Sequence, residues 1–235
     1  MPKPDLGGQR AIRTYAVLCA LTPLIPLPFV DDIARAYFRR RLVRSLASAR
    51  GLVLPEAGVR TLADPPERGC LMGCLVAPPL YAMKKLFRKI FYFLEWKRAV
   101  DTASETYHFG SLVDHAFERR WPAPAGPVEA TRLRAAIESV LARRGTSPID
   151  KAVRGAFEQS KDAVFRGAAA MKHALGGLTR HPPVEQVEHA VAPVEQDEAR
   201  IAEVAGALGQ AIEKVPPGYL ESLCDQVAEE LGRQE

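Results

Sequence analysis

The sequence predicts an all-α fold: a multi-helix bundle with two proline-broken apolar helical segments and amphipathic C-terminal helices. Apolar residues recur at spacings of three and four in most segments, which is the period of a helix with one buried face. No stretch alternates at period two over the length of a strand. Ala, Leu, Arg, Glu and Val dominate, and aromatic residues make up only 7% of the chain. This composition favours helix over strand, and 47% hydrophobic residues in a chain of 235 can form a core.

The N-terminal part centres on an uncharged run of 17 residues, 14–30. A straight membrane-spanning helix needs ~20 apolar residues, and the prolines of this run remove backbone donors. We therefore predict a flexible stretch over 1–10, a helix over 11–21, a turn, and a second helix that stops before Gly51. No small-x-small cleavage site follows the run, so we expect the N-terminus to be retained. The predicted turn residues are Pro23, Pro26, Pro28, Asp31 and Asp32.

A second uncharged run, residues 69–83, has the same layout. It follows a predicted loop over 51–69 and is broken by Pro78 and Pro79. A basic and aromatic-rich helix comes next, which we expect to continue to about residue 117. The Pro-rich residues 121–127 form the clearest break in the chain. We therefore assign residues 11–121 to one apolar and basic helical domain.

Turn residues divide the chain after that break. Pro127 suits the first turn of a helix that stops at Gly145, and Ser147 and Pro148 predict the start of a helix running to about residue 175. Residues 127–177 are therefore a helical pair, 178–196 a linker, and 197–235 the acidic C-terminal helices. The last helix carries an apolar stripe that suits a partner helix. Its residues are Leu220, Leu223, Val227 and Leu231.

The net charge of +4 conceals an asymmetry. Residues 1–100 have a balance of +10, and residues 101–235 have a balance of −6. The basic part suggests an anionic surface as partner, and the acidic C-terminal helices suggest a protein partner or contact between the two halves. Uneven solvated faces would give the same asymmetry. The oligomeric state stays open.

Two basic segments, 35–44 and 84–98, are candidates for contact with an anionic surface. Nucleic acid is disfavoured, because its binders usually expose basic side chains on a polar loop, arm or recognition helix. Basic side chains beside apolar runs and aromatic residues are typical of a bilayer interface, and also of a helical core covered by long side chains. The candidate contact residues are Arg35, Arg39, Arg40, Arg44, Lys84, Lys85, Arg88, Lys89 and Trp96.

One set of residues suggests a metal-dependent enzyme: Asp101, Glu105, His108 and His115. On a helix they share a face, and Glu105 with His108 forms half of a di-metal site of a helical bundle. The second half has no counterpart in the sequence, so a polar face with hydrogen-bonded histidines is the preferred explanation. A glycine-rich phosphate loop, a Gly-x-Ser-x-Gly elbow and a His-Glu-x-x-His motif are also missing. We therefore predict no catalytic residue, no metal and no cofactor.

Residues 20–47 contain Thr22, Pro23, Pro26, Pro28, Phe29 and Asp31. This segment resembles the opening of the helical membrane-associated domain of YcjF-like, GTPase-associated bacterial proteins. The resemblance covers residues 15–110 and implies a second apolar hairpin over 69–83. This chain departs from the pattern by its more arginine-rich second helix and by lacking a GTPase domain. The family has no well-defined catalytic motif, so the resemblance implies no functional residues.

Three hypotheses follow from the sequence. The first is a non-enzymatic bacterial helical protein, cytoplasmic and peripheral on the inner membrane, that also offers its acidic C-terminal helices to a partner. The second is a fully soluble helical adaptor whose apolar runs form an ordinary core. The third is a metal-dependent enzyme that uses the four residues of the 101–115 helix face. The four cysteines require no oxidising compartment, which agrees with a cytoplasmic protein.

Overall fold

The structure is a computed structural model that describes residues 6–25, 30–64, 88–120, 126–178, 182–196 and 198–233. These residues form ten α-helices and one 3-10 turn, and none of them lies in a strand. The prediction of an all-α multi-helix bundle is therefore confirmed. The helices are α1 Leu6–Leu21, α2 Val30–Ala49, α3 Glu56–Ala63, α4 Arg88–Glu118, α5 Pro127–Arg143, α6 Pro148–Gln159, α7 Lys161–Leu175, α8 Val184–Gln196, α9 Glu198–Ile212 and α10 Gly218–Gly232.

Helix α4 is the longest helix, with 31 residues, and it packs against α1, α2, α6 and α10. Its contact with α1 and α2 depends on Gly110. A Cβ atom there would lie 3.1 Å from Ile12 Cγ1 and 3.2 Å from Leu42 Cδ2. Such distances are tighter than ordinary van der Waals contact. The missing side chain therefore lets three helices meet at one point.

The first apolar run lies inside the protein. Residues 16–21 of α1 are each at most 1% exposed, and Ile25 is also buried. The 3-10 turn Thr22–Leu24 follows, with Pro23 buried in it. Asp31 and Asp32 occupy the first turn of α2, where carboxylates interact favourably with the helix dipole. Pro26, Pro28 and the whole second apolar run lie outside the described residues.

One hydrophobic core joins the helices on both sides of residues 121–127. Helix α9 packs against α1 and α6, and α10 packs against α4 and α5. Helix α3 packs against α5, and α8 packs against α2 and α7. The C-terminal helices therefore complete a core that the N-terminal helices begin.

Local start and stop signals fix several helix ends as predicted. Ser147 and Asp150 form a reciprocal capping box at the start of α6, with Pro148 in the first turn. Pro127 lies in the first turn of α5. At the end of α2, Gly51 has a φ of +66°, and Leu52 N donates to Ala47 O at 2.8 Å. This is a Schellman-type end, which glycine allows without strain.

Four predictions of local structure are wrong. Helix α1 begins at Leu6, so residues 6–10 are helical, and the predicted loop over 51–69 contains α3. The predicted single helix to residue 175 divides at Ser160, whose ψ of 27° departs from helical geometry. The predicted linker over 178–196 contains α8, because its buried residues Val187, Val191 and Val194 pack into the core. Tertiary burial outweighs its proline content.

Among the described helices, none combines the length and the hydropathy that a bilayer crossing requires.

Candidate functional site

The arginines of α2 form contacts within the protein. Arg40 donates to both carboxylate oxygens of Asp64, at 2.8 Å each, and to Glu188 at 3.2 Å. Arg44 pairs with Glu56 at 2.6 Å, and Arg35 pairs with Asp32. A bidentate arginine pair is geometrically specific and holds both side chains in one arrangement. Arg35, Arg40 and Arg44 therefore connect α2 to itself, to α3 and its following residue, and to α8.

Arg39 is the most enclosed of these arginines. Its guanidinium carbon lies 4.2 Å from the centre of the Phe109 ring, a cation–π contact. Its Nε is buried without a hydrogen-bond partner, and burial lowers the pKa of the guanidinium. Arg39 was predicted as a surface contact, but in the fold it packs between α2 and α4.

Trp96 is also an internal residue. It is only 8% exposed, and its indole N–H donates to Glu158 Oε1 at 2.9 Å. Its ring lies against Phe157 and Phe165. Trp96 therefore joins α4 to α6 and α7. Of the other predicted contact residues, Lys84 and Lys85 lie outside the described residues, as do the side chains of Arg88 and Lys89.

One exposed part of the α4 surface is amphipathic. Phe93 is 64% exposed and Leu94 is 50% exposed. Lys97 and Arg98 follow one turn later and are exposed too. Residues four apart are neighbours on a helix surface, so each apolar side chain lies beside a cation. We call these four residues the α4 face. All four residues belong to the basic segment 84–98, and their spacing of four is a sequence signal that could have indicated this surface.

The four candidate metal ligands on α4 do not come together in one site. Asp101 and Glu105 are exposed on α4, whereas His108 is fully buried and His115 is half-buried further along the helix. Within the described part of the chain, no group of three His, Cys, Asp or Glu side chains is arranged to hold a metal ion. Helical spacing placed these residues on adjoining surfaces, but it could not predict that neighbouring helices would cover one end of the set.

His108 is held by hydrogen bonds to α4, to α10 and to Ser147, the residue that precedes α6. Its Nδ1 lies 2.7 Å from Ser104 O, a carbonyl that can only accept, so Nδ1 carries the proton. Its Nε2 then accepts from Tyr219 Oη at 3.1 Å and from Ser147 Oγ at 3.3 Å. Burial, with Arg144 nearby, lowers the pKa of His108 to about 4. The imidazole is therefore neutral at neutral pH.

Asp150 completes this cluster from the start of α6. It accepts hydrogen bonds from the Ser104 hydroxyl, from Ser147 N at 2.8 Å and from Arg144 Nη1 at 3.0 Å. Burial opposes its ionisation, but these donors outweigh burial and lower the pKa of Asp150 to about 2. Ser147 and His108 resemble a nucleophile and its base in distance only. Both are buried, so a substrate has no access to them.

A shallow cavity of about 290 Å³ lies above this cluster. Asp101, Glu105, Arg144, Thr146 and Asp150 contribute to its walls. The ion pair between Arg144 and Asp150 already satisfies two of these charges. The remaining carboxylates are exposed to solvent, and we assign no chemistry to them.

A second and larger cavity, of about 500 Å³, lies between α1, α2, α8 and α9. Glu195 forms one side of it and accepts hydrogen bonds from Tyr15 at 2.5 Å, Arg41 at 2.9 Å and Tyr37 at 3.0 Å. Burial and the carboxylate raise the pKa of Tyr37 to about 12. Burial and the same carboxylate also raise the pKa of Tyr15. Both phenols therefore stay protonated and donate to Glu195.

The predicted partner stripe of α10 faces the core. Leu223, Val227 and Leu231 are buried, and Leu220 is partly buried against the same core. Their neighbours are α5 and α4. The apolar stripe therefore packs against other helices of the same chain.

No protein-family model, no curated protein and no solved structure matches this chain. The resemblance to YcjF-like proteins therefore stays a prediction that rests on the residues of the 20–47 segment.

Proposed function

We propose that this protein is a non-enzymatic helical protein that attaches peripherally to an anionic membrane, on the cytoplasmic face of the inner membrane, through the α4 face. The observation that carries the proposal is the exposure of Phe93 and Leu94 beside Lys97 and Arg98. Most large apolar side chains of the described residues are covered, whereas these two successive side chains are both exposed and each has a cation one turn later. An exposed aromatic and aliphatic pair with cations suits the bilayer interface.

The sequence that leads into α4 agrees with the proposal through its composition. Residues 69–83 carry no charge, and Lys84, Lys85, Arg88 and Lys89 follow them. Each cation near an anionic bilayer contributes ~1 kcal/mol, and insertion of Phe93 and Leu94 adds roughly 1–3 kcal/mol each. The arginines of α2, in contrast, contact side chains of this chain. We therefore assign the membrane contact to α4 and not to α2.

Vesicle co-sedimentation tests the proposal. We expect the protein to bind vesicles of phosphatidylglycerol and phosphatidylethanolamine, to bind phosphatidylcholine vesicles weakly, and to lose binding as salt is raised. The double variant Lys97→Glu/Arg98→Glu and the double variant Phe93→Ser/Leu94→Ser should each reduce binding about tenfold or more.

The matched control is Lys151→Glu/Arg154→Glu, which makes the same charge change on an exposed part of α6. It should reduce binding much less than the reversal on α4. If the two charge reversals reduced vesicle binding equally, net charge alone would explain the binding, which would contradict the proposal. Absence of binding to anionic vesicles by the unaltered protein would reject it outright.

A further inference from the structure

The cavity of about 500 Å³ beside Glu195 has the size of a small-molecule site, for which ~300–1,000 Å³ is typical. Among the described residues that line it, Arg10, Arg13 and Arg41 carry guanidinium groups and Glu195 carries a carboxylate. The walls therefore hold more positive than negative charge.

The carboxylate of Glu195 is already in use. It accepts from Tyr15, Tyr37 and Arg41, and Arg41 forms an ion pair with it at 2.9 Å. A carboxylate that accepts three donors has little capacity left for another cation. Glu195 therefore offsets Arg41 and leaves the charge of Arg13 without a counterpart in the described residues.

Arg13 is held in place at the cavity wall. Its Nε donates to Gln9 O at 3.2 Å on the same helix, and its guanidinium lies against Gly209 of α9. A Cβ atom at residue 209 would collide with that guanidinium. A glycine inside a helix costs ~1 kcal/mol relative to alanine. The missing side chain of Gly209 makes this close approach of Arg13 possible.

The α9 side of the cavity is largely apolar. Ile201, Ala202 and Ala205 line it from α9, and Ile201 is buried. The cavity thus brings the Arg13 guanidinium close to small and branched apolar side chains of α9. This combination suits a molecule with one charged group and a short apolar part.

We propose that this cavity binds a small amphiphilic anion, a molecule with one phosphate or carboxylate group placed at Arg13 and a short apolar tail placed along α9. A guanidinium suits both groups, because its planar N–H donors match their oxygens. The site is independent of the α4 face, which belongs to a different helix, so either proposal can fail without the other.

Isothermal titration calorimetry with octyl phosphate tests the site, with octanol and octyltrimethylammonium as uncharged and cationic controls. We expect octyl phosphate to bind, inorganic phosphate to bind more weakly, and both controls to show no saturable binding. Arg13→Gln, which keeps much of the side chain and removes the charge, should weaken octyl phosphate binding about tenfold or more.

Gly209→Ala provides the second variant, because it displaces Arg13 without changing any charge and should weaken binding as well. Gly155→Ala is the matched control. It makes the same change inside α6, where an added Cβ meets no neighbour, and it should bind octyl phosphate like the unaltered protein. Far-UV circular dichroism checks that each variant is folded.

Unchanged affinity in folded Arg13→Gln, or equal binding of octyl phosphate and octanol, would overturn the proposal. Vesicle co-sedimentation then identifies the source of the anion. Vesicle binding of Arg13→Gln at the level of the unaltered protein supports a free organic anion, and reduced vesicle binding supports a lipid headgroup.

Discussion

At the scale of single residues, the arginines and His108 show how the fold uses charge. Arg50 donates to both oxygens of the buried Asp114, at 2.9 Å each. Arg40 makes the corresponding pair with Asp64. Truncating one partner of such a pair lowers the free energy of unfolding by several kcal/mol only where the other charge stays buried. An exposed pair contributes roughly 0–1 kcal/mol to that free energy. The basic first part of the chain is therefore partly neutralised by carboxylates from both parts, Asp64 from the first and Asp114 from the second.

His108 makes the stability of the protein sensitive to acid. Its pKa is about 4 in the folded protein, and an unfolded histidine has a pKa of ~6.5. The unfolded state therefore takes up a proton first as pH falls. The contribution of the neutral His108 to the free energy of unfolding is complete above about pH 6.5 and is lost as pH falls towards about pH 4. The loss is at most roughly 3 kcal/mol.

Urea unfolding at a series of pH values between about 7 and 4.5 measures this effect. We expect His108→Gln to flatten the fall in the free energy of unfolding over that range, whatever its own cost at neutral pH. His173→Gln, a change at an exposed histidine, should keep the slope of the unaltered protein. Equal slopes for His108→Gln and the unaltered protein would contradict the neutral, buried imidazole.

At the scale of elements, local chemistry determined what the sequence could predict. The start of α6 and the end of α2 were predicted correctly, because Ser147, Pro148 and Gly51 specify those ends through their own backbone and side-chain geometry. Helix α8 was missed because its proline content argued against helix, whereas burial of Val187 and Val191 stabilises it. Packing of this kind depends on residues far away in the sequence.

The candidate sites show the same limit. The exposed cations of the α4 face follow from helical spacing, so the sequence predicted a basic amphipathic segment there. The enclosure of His108 could not be predicted, because it depends on Tyr219, which lies 111 residues further along the chain. The cavity at Arg13 was missed for the same reason, since it needs α1 and α9 side by side.

The glycine that ends α2 gives a prediction at the scale of one element. Gly51→Ala places a Cβ at a φ of +66° and should reduce the free energy of unfolding by about 1–2 kcal/mol. Gly155→Ala, on the exposed face of α6 with no neighbour near the added atom, should raise it by up to ~1 kcal/mol. Chemical denaturation of both variants measures the difference. Equal effects of the two substitutions would show that helix ends and helix interiors do not differ here as the backbone geometry requires.

At the scale of the whole molecule, the helices before and after the Pro-rich residues 121–127 share one hydrophobic core. Trp96 of α4 packs on Phe157 of α6 and Phe165 of α7, and α9 packs on α1. Each half thus covers apolar side chains of the other. Neither half retains a complete hydrophobic core alone, and loss of one exposes a large apolar surface of the other.

The protein should therefore unfold in a single cooperative transition. Trp96 reports directly on the contact between the halves, and Trp121→Phe leaves it as the sole indole fluorophore among the two tryptophans. We expect urea transitions followed by Trp96 fluorescence and by far-UV circular dichroism to share one midpoint. A fragment of residues 127–235, expressed alone, should show a broad transition or none, because α9 lacks α1 and α10 lacks α4. Two separate midpoints, or a fragment as stable as the full chain, would mean that each half forms its own core and that the contacts across Trp96 contribute little to the fold.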